Sequence, residues 1–259
     1  MTVTALVLAG SRLGEDDPVA RFRGVANKAL APVAGVPMLE RVVTCLARTP
    51  RIGGIVVSGA DQAAVTALPA LAELVQAGRL TVMASTPSPA MSTAAAFDAF
   101  GSPLLVTTAD HALLTVAMVE HMLDATPDWA DASAGLASSE VIKAAFPQSK
   151  RTYLRFADGA WSGCNLFFLR SNASRSVVVY WQRLEAERKH PLRMLRLISP
   201  WLLIKQRLGL LTLRAALDGI GRRTAARLAV VEMPMAEAAV DVDKVDDLHL
   251  AEELITLRH

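Results

Sequence analysis

ALVLAGSRLGEDDPVARFRGVANK, residues 5–28, decides the reading of this chain. Thr4–Leu8 has the apolar run of a buried strand. Gly10 then admits a tight turn and a close backbone approach that a bulkier residue would block. The polar loop after it holds three cationic partners for an anion, Arg12, Arg23 and Lys28. An amphipathic helix is predicted over Pro37–Arg48. A strand, a cationic loop and a helix in that order suit a polyphosphate, because loop N–H groups and cationic side chains can both face it.

At 259 residues and 52% hydrophobic, the chain can bury a full α/β core. No apolar run approaches the roughly 18 residues of a membrane span. The N-terminus lacks the basic start and cleavage pattern of a secretory signal, so a soluble cytoplasmic protein is expected. Cys45 and Cys164 give neither a disulfide framework nor a zinc spacing, and the five histidines form no ligand cluster. The formal net charge of +2 conceals an asymmetry. Arg170–Arg227 holds 13 Lys+Arg against 3 Asp+Glu, a surplus of +10 that leaves −8 for the rest. Such a segment suits an anionic substrate, a nucleic acid or a membrane surface, and equally a solvated basic helix face.

Short apolar runs alternate with helical patterns, as in a mostly parallel sheet covered on both faces. Strands are predicted at Thr4–Leu8, Gly54–Ser58, Leu80–Ala84, Leu104–Thr107, Leu166–Leu169 and Ala229–Glu232, the fifth antiparallel. Helices are predicted at Pro37–Arg48, Gln62–Ala77, Ser92–Phe100, Thr115–Ala125 and Leu248–Leu257. The chain reads as one domain over 1–259 with a basic, leucine-rich helical insertion at about 177–227, broken by Pro191 and Pro200.

Three segments carry chemistry. The opening loop is neither a P-loop nor a dinucleotide fingerprint: Ala29 follows Lys28, and Gly10 and Gly14 do not make GxGxxG. What remains is L-A-G-x-R with Lys28 sixteen residues after Arg12. In LLVTTADHALLT, residues 104–115, Asp110 sits where a strand leaves the sheet and suits a Mg²⁺ carboxylate, or else a helix N-cap. AVDVDKVDDLHLAEEL, residues 239–254, comes after a strand and opens the last helix. There Asp246 and Asp247 read as helix-capping acids.

These three segments, in this order, resemble the MobA-like nucleotidyltransferases, a group with molybdenum-cofactor guanylyltransferases, methylerythritol-phosphate cytidylyltransferases and sugar-phosphate nucleotidyltransferases. The resemblance implies a three-layer Rossmann-like α/β/α sandwich with a mixed, mostly parallel sheet, of the nucleotide-diphospho-sugar transferase type. It implies transfer of a nucleotidyl group from a nucleoside triphosphate to a small phosphorylated acceptor, with release of pyrophosphate. On this resemblance Leu8, Ala9, Gly10, Ser11, Arg12 and Lys28 hold the nucleotide, Arg12 and Lys28 being catalytic. Asp110 and Asp241 hold Mg²⁺, with Asp243 the runner-up to Asp241. Ser92, in ASTPSPAMSTA, is the candidate for the base and favours CTP over GTP, although a plain N-cap explains it equally well. Lys150, Arg151 and Arg155 suit an acceptor phosphate and Asn165 an acceptor hydroxyl, whereas Tyr153 and Trp161 read as packing residues. Ser11 after the glycine, the long loop and His111-Ala112 in place of a proline-containing turn depart from the group and put cofactor guanylylation in doubt. His111 itself reads as a solvent-facing loop residue.

Two other readings compete. A nucleotide-sugar glycosyltransferase usually keeps D-x-D at the strand end, and Thr108-Ala109-Asp110 lacks the first acid. A nucleic-acid binder would use LTLRAALDGIGRRTAARL as a helix-turn-helix, which leaves the three chemical segments idle, so no nucleic acid is expected. The basic insertion suits a lid over the acceptor or a peripheral contact with anionic lipid headgroups.

Overall fold

The structure is a computed structural model that describes residues 1–11, 16–148, 153–187 and 200–258. Strand β1 (Val3–Leu8) leads to α1 (Pro18–Arg23), capped by Asp17, whose carboxylate accepts from the amides of Val19 and Ala20. A small ribbon, β2 (Pro32–Val33) and β3 (Val36–Pro37), precedes α2 (Met38–Ala47). Then come β4 (Ile52–Ser58), α3 (Gln62–Thr66), α4 (Pro69–Gln76), β5 (Leu80–Met83), α5 (Pro89–Phe100), β6 (Leu104–Thr108) and α6 (Val116–Ala125). Next are β7 (Ala132–Ser138), α7 (Ser139–Ala145) and the hairpin β8 (Leu154–Phe156) and β9 (Gly159–Leu169). Helices α8 (Arg175–Ala186), α9 (Pro200–Arg207) and α10 (Leu213–Thr224) intervene before β10 (Leu228–Glu232), and α11 (Val245–Thr256) comes last.

The main sheet runs β10-β7-β9-β6-β1-β4-β5, with β8 paired to β9. β1 is parallel to β4 and β6, while β9 is antiparallel to both β6 and β7. Alternate residues of β1 go to opposite faces. Ala5 and Val7 share one apolar cluster with Leu39 and Leu46 of α2 and Met118 of α6, whereas Leu6 belongs to another with Phe97 of α5 and Val178 of α8. Two helix layers therefore sandwich the sheet, the three-layer arrangement expected. Leu8 is in register with both Ser58 and Thr108, so three parallel strands end on one level rim. Ligands in open α/β sheets bind outside this carboxyl edge.

Several boundaries differ from expectation for identifiable reasons. The helix expected over Gln62–Ala77 is two helices, because Pro69 occupies the first position of α4 and cannot continue α3. α5 begins at Pro89 with Ser88 as its cap, so Ser92 lies within the helix and is not the cap. The capping alternative for Asp110 also falls, because Thr115 caps α6. Nor do Asp246 and Asp247 cap α11: they lie in its first turn, and Lys244 holds the cap position. The helix-turn-helix does not form, since α10 leads directly into β10.

Candidate active site

The end of β1 is built by two close approaches. Gly59, just beyond β4, has φ +99°, and a Cβ there would lie 2.4 Å from the Gly10 amide nitrogen. A Cβ on Gly10 would meet nothing nearer than 3.9 Å. The close approach expected of Gly10 is therefore enforced by Gly59. Asn27 braces the far end of the loop: its Oδ1 accepts from the Ala29 amide at 2.9 Å and its Nδ2 donates to the Ala9 carbonyl at 3.3 Å. This cap opens a single helical turn at Lys28–Leu30 and pins it beside the strand end.

From that turn the Lys28 ammonium donates to Asp110 Oδ2 and to Asp243 Oδ1, each at 2.8 Å. Burial opposes the charge on Lys28, but Asp110 and Asp243 outweigh it and hold the pKa above the ordinary lysine value. Asp110 is itself anchored, its carbonyl accepting from the Val242 amide at 3.0 Å. That bond brings the 241–243 stretch to the strand rim. Asp241 turns elsewhere and accepts from Asn165 Nδ2 at 3.2 Å. Asn165 sits at φ +47° beside an irregularity in the β7–β9 register, a bulge that re-aims its side chain.

A cleft of about 590 Å³ opens over these residues, reaching from Gly10 and Ser11 to Asn165, Phe167 and Trp181. Three buried polar atoms in its lining, Ser11 Oγ, Thr108 Oγ1 and Asp110 Oδ1, have no hydrogen-bond partner among the described residues. Phe167 and Trp181 form an aromatic wall, with ring centroids 6.2 Å apart and planes tilted by 34°. A second hollow of about 240 Å³ adjoins at Gly10, Ser11 and Asn27 and runs along Ser58 and Ser85–Ser92. There Ser58 donates to Ser92 at 2.9 Å, and Thr86 lies 2.8 Å from Ser92 and donates to the Ser88 carbonyl. Each hydroxyl has one proton, so Ser92 donates to Thr86 and the relay runs in one direction.

The structure thus brings together Leu8, Ala9, Gly10, Ser11, Lys28 and Asp110 in one cleft, with Ser92 in the adjoining hollow. Arg12, Lys150 and Arg151 lie outside the described residues. Arg155 is not at the cleft. It lines an apolar hollow between β8 and α8–α10, and its carbonyl accepts from Gln206. His111 is a correction: it is 1% exposed, and burial lowers its pKa to about 4 against the pull of the Asp110 charge. Its Nδ1 lies 3.4 Å from Thr107 Oγ1. Sequence reasoning passed over Asn27, Phe167 and Trp181. Only Asn27 carried a usable signal, an Asn directly before the loop lysine at a cap position.

Fold and site together define an α/β protein with a polar cleft at the carboxyl rim of its sheet. Residues 5–224 match the MobA-like NTP transferase domain, and the chain belongs to that family of nucleotidyltransferases. A hypothetical transferase from Thermus thermophilus is similar at 30% identity and TM-score 0.79, over 96% of this chain and 100% of that one. CMP:2-keto-3-deoxy-manno-octonic acid synthetase, solved with CTP, matches at 14% identity and TM-score 0.52, over 100% of this chain and 99% of the other. 4-Diphosphocytidyl-2C-methyl-D-erythritol synthase from Anaerococcus prevotii matches at 9% identity and TM-score 0.55, over 98% and 96%. At such identities these two likenesses show the shared fold. No curated protein matches the sequence.

Proposed function

We propose that the cleft binds a nucleoside triphosphate with Mg²⁺ and transfers its nucleotidyl group to the phosphate of a small phosphorylated acceptor. An acceptor phosphate oxygen attacks the α-phosphorus, the bond from that phosphorus to the bridging oxygen breaks, and pyrophosphate leaves. No general base is needed, because the attacking phosphate is already ionised near neutral pH. The observation that carries this reading is the placement of the Lys28 ammonium between Asp110 and Asp243 at the strand rim. Such chemistry needs positioning and charge neutralisation more than a covalent nucleophile.

Asp110 fits the role of a metal carboxylate, since its buried Oδ1 has no partner among the described residues. Asp243 suits the second ligand better than Asp241, because it shares Lys28 with Asp110 while Asp241 is held by Asn165. No group of three His, Cys, Asp or Glu side chains converges among the described residues, so phosphates and waters would complete the shell. When bound, the ion would neutralise phosphate charge. The chain's own part is to hold the triphosphate at Leu8–Ser11, with Arg12 as a further cationic partner from the sequence reading, and to aim Lys28 at the developing charge.

The base belongs in the hollow at Ser92. Its hydroxyl protons are engaged internally, leaving lone pairs toward the ligand. That suits an exocyclic amino group, as on cytosine or guanine, and CTP is the first choice. Asn165 and the wall of Phe167 and Trp181 face the acceptor end. A pyrophosphate-release screen of four nucleoside triphosphates against phosphorylated alcohols, sugars and cofactors tests the proposal. Lys28→Ala should lower kcat by roughly 10²–10³-fold. Unchanged rates in both Lys28→Ala and Asp110→Ala would overturn the site.

A further inference from the structure

The basic segment is not absorbed by the cleft, and its apolar residues are distributed unusually. Leu202 and Leu203 of α9 line an apolar hollow against Leu184 of α8 and Ile220 of α10. The opposite side of the same helix is apolar too: Trp201, Ile204 and Leu208 follow helical spacing and are 62%, 49% and 64% exposed. Leu210, just past α9, and Leu154, next to the Arg155 carbonyl that Gln206 reaches, are 63% and 55% exposed.

The patch is held in place. α9 ends in a Schellman-type cap, with Gly209 at φ +67° and the Leu210 amide donating to the Lys205 carbonyl at 2.8 Å. Gln206 Nε2 donates to the Arg155 carbonyl at 3.0 Å and ties β8, and with it Leu154, to the helix. Positive charge borders the patch. Lys205 Nζ lies 6.0 Å from the Trp201 ring centre, and Lys205 and Arg207 in the last turn of α9 form no ion pair among the described residues. Elsewhere in the segment Arg170, Arg175 and Arg227 are paired with Asp128, Asp98 and Asp131. Asp158, the acid nearest in sequence to β8, is engaged in accepting from the Leu213 amide.

We infer that the outer face of α9, with Leu154 and Leu210, docks on the surface of an anionic phospholipid bilayer. Aliphatic and indole groups enter the headgroup–acyl boundary while lysine and arginine meet the headgroups. A helix apolar on both sides needs cover on both sides, and the described residues supply only one. No helix among the described residues is long and apolar enough to cross a membrane, so the contact is peripheral. α8 carries Trp181 in the cleft wall and Tyr180 and Leu184 in the hollow beneath α9, so one helix joins this surface to the cleft.

The test is co-sedimentation of the full chain with phosphatidylcholine vesicles and with equimolar phosphatidylcholine–phosphatidylglycerol vesicles, without nucleotide. Binding is expected to the mixed vesicles alone and to fall with added salt. The triple variant Trp201→Gln, Ile204→Gln, Leu208→Gln should partition at least about tenfold more weakly, with an unchanged thermal midpoint. Should that variant unfold, bromine-labelled acyl chains provide a second readout, quenching indole fluorescence in the wild type and less in Trp201→Phe. Equal pelleting with both vesicle types, equal pelleting of wild type and triple variant, or quenching unaffected by Trp201→Phe would overturn the inference. So would a concentration-dependent dimer that the triple substitution abolishes while the wild type ignores vesicles.

Discussion

Replacing Gly59 with alanine should damage this protein far more than the same change at Gly10. At Gly59 the new methyl would sit 2.4 Å from the Gly10 nitrogen and 2.6 Å from its Cα, both backbone atoms that no rotamer change can move. The φ of +99° adds its own penalty for any residue with a Cβ. Forced conformations cost about 1–3 kcal/mol and overpacking about 1–3 kcal/mol more, so a loss on the order of 4 kcal/mol is expected. In a chain of this size that lowers the melting temperature by roughly 10 °C. At Gly10 the nearest atom to a Cβ is 3.9 Å away, so stability should change by less than about 1 kcal/mol in either direction. Urea denaturation of both variants, with a constant m-value to confirm two-state unfolding, measures the difference. Gly10→Ala proving as costly as Gly59→Ala would refute the account of how the strand end is held.

Two further outcomes separate neighbouring residues. Asp243→Asn should weaken Mg²⁺-dependent nucleotide binding, read by calorimetry, by about tenfold or more. Asp241→Asn should leave that affinity nearly unchanged and raise the acceptor KM through Asn165. Stability should fall in acid through His111. Its pKa drops from the ordinary histidine value of 6.5 in the unfolded chain to about 4 in the fold, so the unfolded chain takes the proton first. Unfolding free energy attributable to His111 is then fully present above about 6.5 and lost as pH falls toward 4, by at most about 3 kcal/mol. A His111→Gln variant whose denaturation midpoint keeps the wild-type slope in that window would contradict this.

The central strands were legible because β1, β4 and β6 are runs of aliphatic residues covered on both faces, a pattern that needs no partner to recognise. β7 was not legible. Ala132–Ser138, ASAGLAS, is a strand of small residues with almost no hydrophobic signal of its own. It forms because close neighbours demand small side chains: a Cβ on Gly135 would already meet Leu166 and Met233 at 3.4 Å. β9 was read only at its apolar end, since Gly163 and Asn165 interrupt the alternation where the bulge lies. In the cleft, Asp110 stood at a recognisable strand end and Lys28 closed a recognisable polar loop. The choice between Asp241 and Asp243 was not recognisable, because it depends on which side chain faces a lysine 215 residues earlier in the chain. His111 was misread because burial within the fold, at 1% exposure, is not visible from a polar residue in a loop.

The bridge from Lys28 to two carboxylates has a consequence for how ligands enter. A cation that takes the oxygens of Asp110 and Asp243 strips the ammonium of its partners. A phosphate that takes the ammonium leaves two carboxylates facing each other unmatched. Either ligand alone completes half of an exchange, whereas the two together complete it. On the proposed assignment their affinities would be coupled, and reciprocity would require each to strengthen the other by the same factor. In that sense the cleft so assigned would work as a two-key lock.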